Sequence, residues 1–124
     1  MTQFSTQISV HVKFMEEESK PEQGLYHFAY TISIKNDGEI PFQLIARQWI
    51  IVDSDGNAQE IKGLGVVGQQ PLLKGGQAFE YTSWATIPTP TGSMKGSYYC
   101  ISEDAEMFEV PIPEFALVMP RILH

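Results

Sequence analysis

The sequence predicts an all-β protein, an antiparallel two-sheet β-sandwich. Three observations predict it. Apolar and polar residues alternate with a period of two along several segments, and short candidate strands recur roughly every 8 to 14 residues with turn residues between them. No segment keeps a helical period behind a capping residue. Because 124 residues suffice for one hydrophobic core, we expect a single domain over residues 1–124.

The first two strands show the alternation most clearly. Residues 8–14 alternate isoleucine, valine and phenylalanine with polar side chains, and residues 26–35 alternate aromatic and aliphatic side chains with smaller or polar ones. The stretch between them, residues 16–24, is acidic and has nothing to bury, so we expect an exposed connection. The turn sequence at residues 36–38 closes the second strand.

The third strand is the most apolar part of the chain. Residues 42–52 carry apolar side chains on both faces, which predicts a central strand that is covered on both sides. The Asp55-Gly56 pair then favours a tight hairpin, with residues 58–62 returning as a partner strand. Residues 63–76 contain five glycines and a proline and are predicted to be a loop.

Four further strands are predicted towards the C-terminus, at residues 78–84, 94–102, 105–112 and 115–119. Residues 87–92 hold two prolines, which exclude a helix or a central strand there. Pro111 and Pro113 lie two residues apart, so both remove N–H donors from the same edge of their strand. We therefore expect that strand at the edge of a sheet, protected from further pairing.

The charge distribution excludes two kinds of partner. The chain has 15 acidic and 8 basic side chains, a net charge of −7, and the basic residues form no run. We therefore expect no nucleic-acid binding and no polybasic membrane anchor. No apolar stretch approaches the roughly 20 residues that span a bilayer, and residues 1–7 lack the pattern of a signal peptide. The sequence thus predicts a cytoplasmic protein without membrane insertion.

The sequence lacks the residues that metal-binding and catalytic motifs require. Cys100 is the single cysteine, which excludes an internal disulfide or a thiolate cluster and predicts a packed, inert thiol. Residues 53–58 begin like a calcium-binding EF-hand loop, but Ala58 and Leu64 stand where that loop needs glycine and glutamate. The three histidines have no metal-ligand spacing. We expect no catalytic residues, no metal and no cofactor.

A glycine-rich string has the spacing GxGxxG. It consists of Gly63, Leu64, Gly65, Val66, Val67 and Gly68. In dinucleotide-binding folds the last glycine of this string lies in a helix whose N-terminus holds the pyrophosphate. Here Pro71 would fall within the first turns of that helix, so we interpret the string as a tight structural loop. A nest of backbone N–H groups that binds an anion is the alternative.

Arg47 is a charged residue in the middle of the most apolar strand. It is in phase with Ile45 and Trp49, so we expect its stem to be packed and its guanidinium to find a carboxylate, a carbonyl or an aromatic ring. An internal salt bridge or a stack on Trp49 is the structural interpretation. A contact with a ligand or a partner is the functional one.

Several strings together resemble the bacterial ApaG (CorD) family. They are Arg47-Gln48-Trp49, the Asp55-Gly56 hairpin, GLGVVGQQP at residues 63–71, TPTGSMKGSYY at residues 89–99 and IPEF at residues 112–115. The resemblance extends from Ile8 to Pro120 and implies a fibronectin type III or immunoglobulin-like sandwich. The chain departs from the family at Gln48, where histidine is usual, and at Ala105, where glycine is usual.

The resemblance implies a binding module. Bacterial members of the family are linked to cobalt resistance and magnesium efflux, and similar domains occur within larger eukaryotic proteins. We therefore expect a non-catalytic protein–protein interaction domain, monomeric or weakly dimeric, with an unidentified protein partner. Its expected surface is the loop at residues 63–68 with the adjacent aromatic sheet face, and Arg47 is a candidate contact. Burial of both loop valines would count against this surface. The alternative is a small anion, nucleotide or divalent-cation binder that uses the glycine loop.

Overall fold

The computed structural model describes residues 4–120, and within that range the chain is almost entirely β-structure. The strands are β1 Thr6–Phe14, β2 Tyr26–Asn36, β3 Phe42–Asp53, β4 Ala58–Leu64, β5 Leu72–Leu73, β6 Ala78–Ile87, β7 Thr91–Ser102 and β8 Met107–Val118. One turn of 3₁₀-helix, Pro21–Gln23, is the helical element of the described residues. No helix there has the length and apolar character needed to cross a bilayer. Both ends of the expected domain, residues 1–3 and 121–124, lie outside the described range.

The strands form two antiparallel sheets. One sheet has the order β1-β2-β6, and the other has the order β4-β3-β7-β8 with β5 paired to the start of β3. Each strand contributes alternate side chains to one core between the sheets. The predicted two-sheet sandwich is confirmed.

Strands β1 and β2 form as the alternation predicts. Phe14 pairs with Phe28 and Val12 with Tyr30, so the apolar faces of both strands coincide. Phe28 is fully buried, and the acidic connection at residues 16–18 is exposed. The alternation of apolar and polar residues is enough to predict these two strands, because one face of each packs against the core and the other is exposed to water.

Strand β3 differs from the prediction that both of its faces are covered. Its pairing with β7 is interrupted after Leu44 by a β-bulge at Ile45, which shifts the alternation by one residue. Leu44 faces the core before the bulge, and Trp49 and Ile51 face it afterwards. The change of phase explains why buried residues occur at both parities, whereas Ile50 and Val52 lie on the outer face, where they are half-buried. The predicted central position, between β4 and β7, is confirmed.

The loop predicted at residues 63–76 is shorter than expected. Strand β4 continues through Gly63 and Leu64, because both pair with β3. Within the predicted loop, Leu72 and Leu73 form the short strand β5, and Leu73 is buried against the core.

Strand β8 is one continuous strand where the sequence predicts two. It runs through Pro111 and Pro113 and is the last strand of its sheet, so the predicted edge position is confirmed. A proline can remain in an edge strand when its nitrogen faces away from the neighbouring strand. The pairing with β7 shifts register near Lys95 and continues to Val118.

Candidate functional site

The glycine turn, residues 65–70, connects β4 to β5, which both run antiparallel to β3. Gly65 has a φ of +64°, and a β-carbon on it would lie 2.3 Å from the carbonyl oxygen of Gln69. The turn is closed by two reciprocal bonds: the Val66 N–H donates to the Gln69 oxygen at 2.8 Å, and the Gln69 N–H donates to the Val66 oxygen at 2.9 Å. Glycine is therefore required at position 65 for the shape of the turn.

The apolar side chains around the turn point in opposite directions. Val66 is 0% exposed, whereas Leu64 is 75% and Val67 is 52% exposed. Val66 anchors the turn in the core and cannot touch a partner. Val67 reaches solvent at a φ of +43°, a conformation that a β-branched residue rarely adopts. Exposure, the property expected of a binding loop, thus holds for Leu64 and Val67 but not for Val66.

Arg47 holds the glycine turn from the inner side of the sheet. Its Nη1 donates to the carbonyl oxygens of Leu64 at 3.1 Å and of Gly65 at 2.8 Å. A β-carbon on Gly63 would lie 2.9 Å from that nitrogen, so the missing side chain makes room for the guanidinium. A carbonyl partner was one of the expected kinds, whereas the internal salt bridge and the stack on Trp49 are not found among residues 4–120. Arg47 is therefore a positioning residue for the turn, and a partner contact through it stays a prediction.

A cluster of buried phenols lies in the core near Arg47. The hydroxyl groups of Tyr81 and Tyr98 share a hydrogen bond. Burial raises the pKa of Tyr30, Tyr81 and Tyr98, and the charge of Arg47 opposes this shift at Tyr30 and Tyr81. The phenols are thus neutral hydrogen-bonding groups at physiological pH.

Cys100 is packed in the core, as predicted. It is buried in strand β7 and is a free thiol. Burial raises the pKa of the Cys100 thiol to about 12, so the thiolate is disfavoured. Without thiolate character or access to solvent, the group suits packing and not catalysis.

Leu64 belongs to a row of side chains across the outer face of the five-stranded sheet. Ala46 on β3 lies opposite Leu64 on β4 and opposite Tyr99 on β7. Tyr99 in turn lies opposite Glu109 on β8. Since opposite residues share a face, this row places an apolar stripe on the surface beside the glycine turn.

A second row extends this surface towards the start of β8. Gln43 on β3 lies opposite Leu72 on β5 and opposite Ile101 on β7, and Ile101 lies opposite Met107. Leu72 is 56% exposed and Met107 is 74% exposed. We call the two rows the outer apolar face; its apolar members are Ala46, Leu64, Leu72, Tyr99, Ile101 and Met107.

A shallow groove of about 390 Å³ lies at the Leu64 end of this face. Its lining includes Leu64 and Tyr99. The Tyr99 hydroxyl donates to Oε1 of Gln48 at 2.7 Å, and the Gln48 amide donates to Oε2 of Glu60 at 2.8 Å. These bonds fix the wall of the groove, which has room for an apolar side chain of a partner.

Several backbone N–H groups of the glycine turn already donate within the protein. The Gly65 N–H donates to the Ile45 oxygen at 2.7 Å, and the N–H groups of Val66 and Gln69 are used within the turn. A strand follows the turn, so no helix N-terminus adds its dipole. The geometry therefore does not favour the phosphate-binding interpretation.

The acidic hairpin between β3 and β4 is structural. Oδ1 of Asp53 accepts the N–H groups of Asp55 and Asn57, at 2.9 and 3.0 Å, so its lone pairs serve the turn. Among residues 4–120, no three His, Cys, Asp or Glu side chains group closely enough to hold a metal ion.

The fold and the site define a small antiparallel β-sandwich protein with a rigid glycine turn beside an exposed apolar sheet face. The ApaG domain model matches residues 16–102. Protein ApaG of Ralstonia nicotianae is 55% identical over 124 residues, the full length of both chains, and Protein ApaG of Bordetella pertussis is 54% identical over 117 residues, 94% of this chain and 89% of its own. The chain belongs to the ApaG family.

Solved structures agree with this membership. The crystal structure of the ApaA protein from Bordetella pertussis has a TM-score of 0.92 at 51% identity and covers 96% of this chain and 97% of its own. An X-ray structure of a second structural genomics target has a TM-score of 0.90 at 41% identity, with coverage of 97% and 91%. The resemblance seen in the sequence is thereby confirmed.

Proposed function

We propose that this ApaG family protein is a non-catalytic protein-interaction domain that binds its partner on the outer apolar face. The observation that carries the proposal is the continuity of that face. Leu64, Leu72 and Met107 are each more than half exposed and lie in two adjacent rows of one sheet. Scattered apolar residues are normal on a protein surface, whereas a contiguous group of them is typical of a binding site.

The rigidity of the glycine turn supports the proposal. Val66 is buried, Gly65 fits only as glycine, and Arg47 donates to two carbonyl groups of the segment. Leu64 is therefore presented in a fixed position before a partner arrives. A preorganised contact loses less conformational entropy on binding than a flexible one.

The cellular roles linked to the family fit an indirect mechanism. We place the protein in the cytoplasm as a monomer or weak dimer, and we assign any effect on cobalt tolerance or magnesium efflux to its partner. Support comes from the described residues, which contain no cluster of metal ligands, and from the N–H groups of Gly65, Val66 and Gln69, which already donate within the protein.

A capture experiment with matched variants tests the proposed surface. We compare the wild-type chain with Leu64→Ser/Met107→Ser and with the control Trp84→Ser, whose side chain is 62% exposed on the other sheet. Because all three side chains are exposed, each variant should keep the wild-type free energy of unfolding to within about 0.5 kcal/mol per substitution. A protein captured from the source cell by the wild type and by Trp84→Ser, but not by the double variant, is expected.

The opposite pattern would reject the surface. Capture that survives in Leu64→Ser/Met107→Ser and is lost in Trp84→Ser would place the interface on the three-stranded sheet. A thermal-shift screen with nucleotides, Mg²⁺ and Co²⁺ tests the small-ligand alternative, since a ligand at 100 times its Kd adds about 2.7 kcal/mol to stability. We expect no such stabilisation.

A further inference from the structure

The outer apolar face has an acidic rim at the end where β7 turns into β8. Glu103, Asp104 and Glu106 lie exposed in the connection between β7 and β8, next to Met107. Glu109 ends the row that runs through Tyr99. The sequence has no lysine or arginine from residue 96 to residue 120. One rim of the face therefore carries four carboxylates. The basic side chains Arg47 and Lys62 line the groove at the Leu64 end of the face, and Lys95 lies further along β7.

These carboxylates are not neutralised by ion pairs within the described chain. Among residues 4–120 the single ion pair joins Lys62 to Glu60, on β4. Glu109 accepts a hydrogen bond from the Ser97 hydroxyl at 2.7 Å, which leaves its charge in place. The acidic rim is thus available to a positively charged partner.

We infer that the outer apolar face binds a basic, amphipathic segment of another protein. This inference rests on the proposed function and names the chemistry of the partner. The apolar side of the segment covers Leu64, Leu72 and Met107, and its lysine or arginine side chains lie along the acidic rim. The apolar contacts supply most of the affinity, while the exposed charges raise the association rate and select the partner.

The dimensions of the face set the length of the segment. The row from Leu72 to Met107 crosses four strands, β5, β3, β7 and β8. Neighbouring strands are about 4.8 Å apart, so three intervals span roughly 14 Å. A helix rises about 1.5 Å per residue, so roughly ten residues, or three turns, cross the face. An amphipathic helix of that length presents one apolar stripe and one charged stripe.

Charge also argues against other occupants. A second copy of the chain would bring the same acidic rim and a net charge of −7 to the interface. An anionic membrane surface would be repelled for the same reason. A cationic segment is the occupant that the rim attracts.

Two synthetic peptides of 18 residues test the inference on the full-length protein. One is an amphipathic helix of leucine and lysine, and the other has glutamate in place of lysine. Affinity is measured by titration calorimetry, and the contact surface is mapped by NMR chemical-shift changes. We expect the leucine–lysine peptide to shift the resonances of Leu64, Tyr99 and Met107, and we expect the leucine–glutamate peptide not to bind.

Two triple variants with the same net charge separate a local effect from bulk attraction. Glu103→Gln/Asp104→Asn/Glu106→Gln neutralises three of the four rim carboxylates and leaves Glu109, which accepts a hydrogen bond from Ser97. Glu16→Gln/Glu17→Gln/Glu18→Gln removes equal charge near Met119, at the other end of β8. The rim variant should bind the leucine–lysine peptide about tenfold more weakly, as three exposed charge pairs imply, and the control variant should bind like the wild type. The difference should shrink at about 0.5 M salt.

The outcomes distinguish failure of the inference from failure of the proposed function. The inference of a basic partner is overturned if both triple variants bind the leucine–lysine peptide equally weakly. It is also overturned if the wild type binds the two peptides equally well. If the rim variant also binds like the wild type while Leu64→Ser/Met107→Ser does not bind, the face remains a docking surface for a partner without basic character. If the peptide binds that double variant unchanged and shifts resonances elsewhere, the proposed face itself is rejected.

Discussion

At the scale of single residues, Gly65 and Arg47 determine where Leu64 points. Gly65 permits the positive φ and the close approach of the Gln69 carbonyl, and Arg47 ties the end of β4 to the turn through two hydrogen bonds. Both residues act on the presentation of Leu64, and a direct contact of Arg47 with the partner stays a prediction. A loss of binding in a Gly65 variant would therefore report on the shape of the turn.

Substitution of the turn glycines tests this structural role. Gly68 has a φ of +79°, and a β-carbon added to it would meet no other part of the chain within 4 Å, whereas Gly65 combines a φ of +64° with a clash against backbone. Gly68→Ala should cost about 1 kcal/mol through its dihedral angle alone, and Gly65→Ala should cost about 3 kcal/mol because the turn must also shift. Urea unfolding measures both. An equal loss in the free energy of unfolding for Gly65→Ala and Gly68→Ala would mean that the Gln69 carbonyl moves away at little cost.

The sequence predicted part of this site. The GxGxxG string with Pro71 was enough to indicate a structural loop, because the residues needed for a nucleotide-binding helix are missing. It could not show that Val66 is buried while Leu64 and Val67 are exposed. In a tight turn the direction of each side chain depends on individual φ values, which follow no simple period.

Buried Cys100 predicts a pH dependence of stability. The pKa of its thiol is about 12 in the folded chain, above its ordinary value of 9.0, so the unfolded chain loses the proton first. The free energy of unfolding should therefore be unaffected by this group below pH 9 and should fall as the pH rises from 9 towards 12. Between pH 9 and 10 the slope due to the thiol approaches about 1.4 kcal/mol per pH unit at most.

The matched variant for this prediction is Cys100→Ala. Tyr81 and Tyr98 also have raised pKa values, but their ordinary value is 10.0, so they add most of their effect above pH 10. Urea unfolding at pH 8, 9 and 10 should show a shallower decline in the variant than in the wild type. Parallel declines would contradict the role assigned to the buried thiol.

At the scale of secondary-structure elements, one inserted residue decides which face of β3 meets the core. The bulge at Ile45 reverses the alternation, so that Arg47 shares the inner face with Trp49 and Ile51 while Ala46 faces outward opposite Leu64. Patterning predicted β1 and β2 well because their period is unbroken. Patterning wrongly predicted that both faces of β3 are covered. Apolar residues at odd and even positions are typical of such a strand, but they also occur where a bulge shifts the alternation.

The prolines of β8 lead to a prediction at the same scale. Pro111 and Pro113 deny two donors to the free edge of the five-stranded sheet. Pro111→Ser/Pro113→Ser should leave the sandwich folded and restore both N–H groups, so self-association should increase with protein concentration. Sedimentation velocity of the wild type and the variant measures this. A variant that stays as monodisperse as the wild type would show that other features protect the edge.

At the scale of the whole molecule, the outer apolar face exists only after folding. Leu64 and Leu72 lie on β4 and β5, whereas Tyr99, Ile101 and Met107 come from β7 and β8. The sequence indicated Leu64 and an adjacent sheet face, but it gave no sign of Leu72 or Met107. Their contribution depends on the pairing of distant strands, and the register of that pairing is set by turns, bulges and the core together.

The most direct test of the proposed docking face compares two exposed, oxidisable side chains. Met107 is 74% exposed beside the acidic rim, and Trp84 is 62% exposed on the opposite sheet. Hydroxyl-radical footprinting by mass spectrometry, on the chain alone and in the complex purified from its source cell, reports the accessibility of both. We predict that oxidation of Met107 falls in the complex while oxidation of Trp84 is unchanged. Protection of Trp84 with unchanged oxidation of Met107 would contradict the proposal.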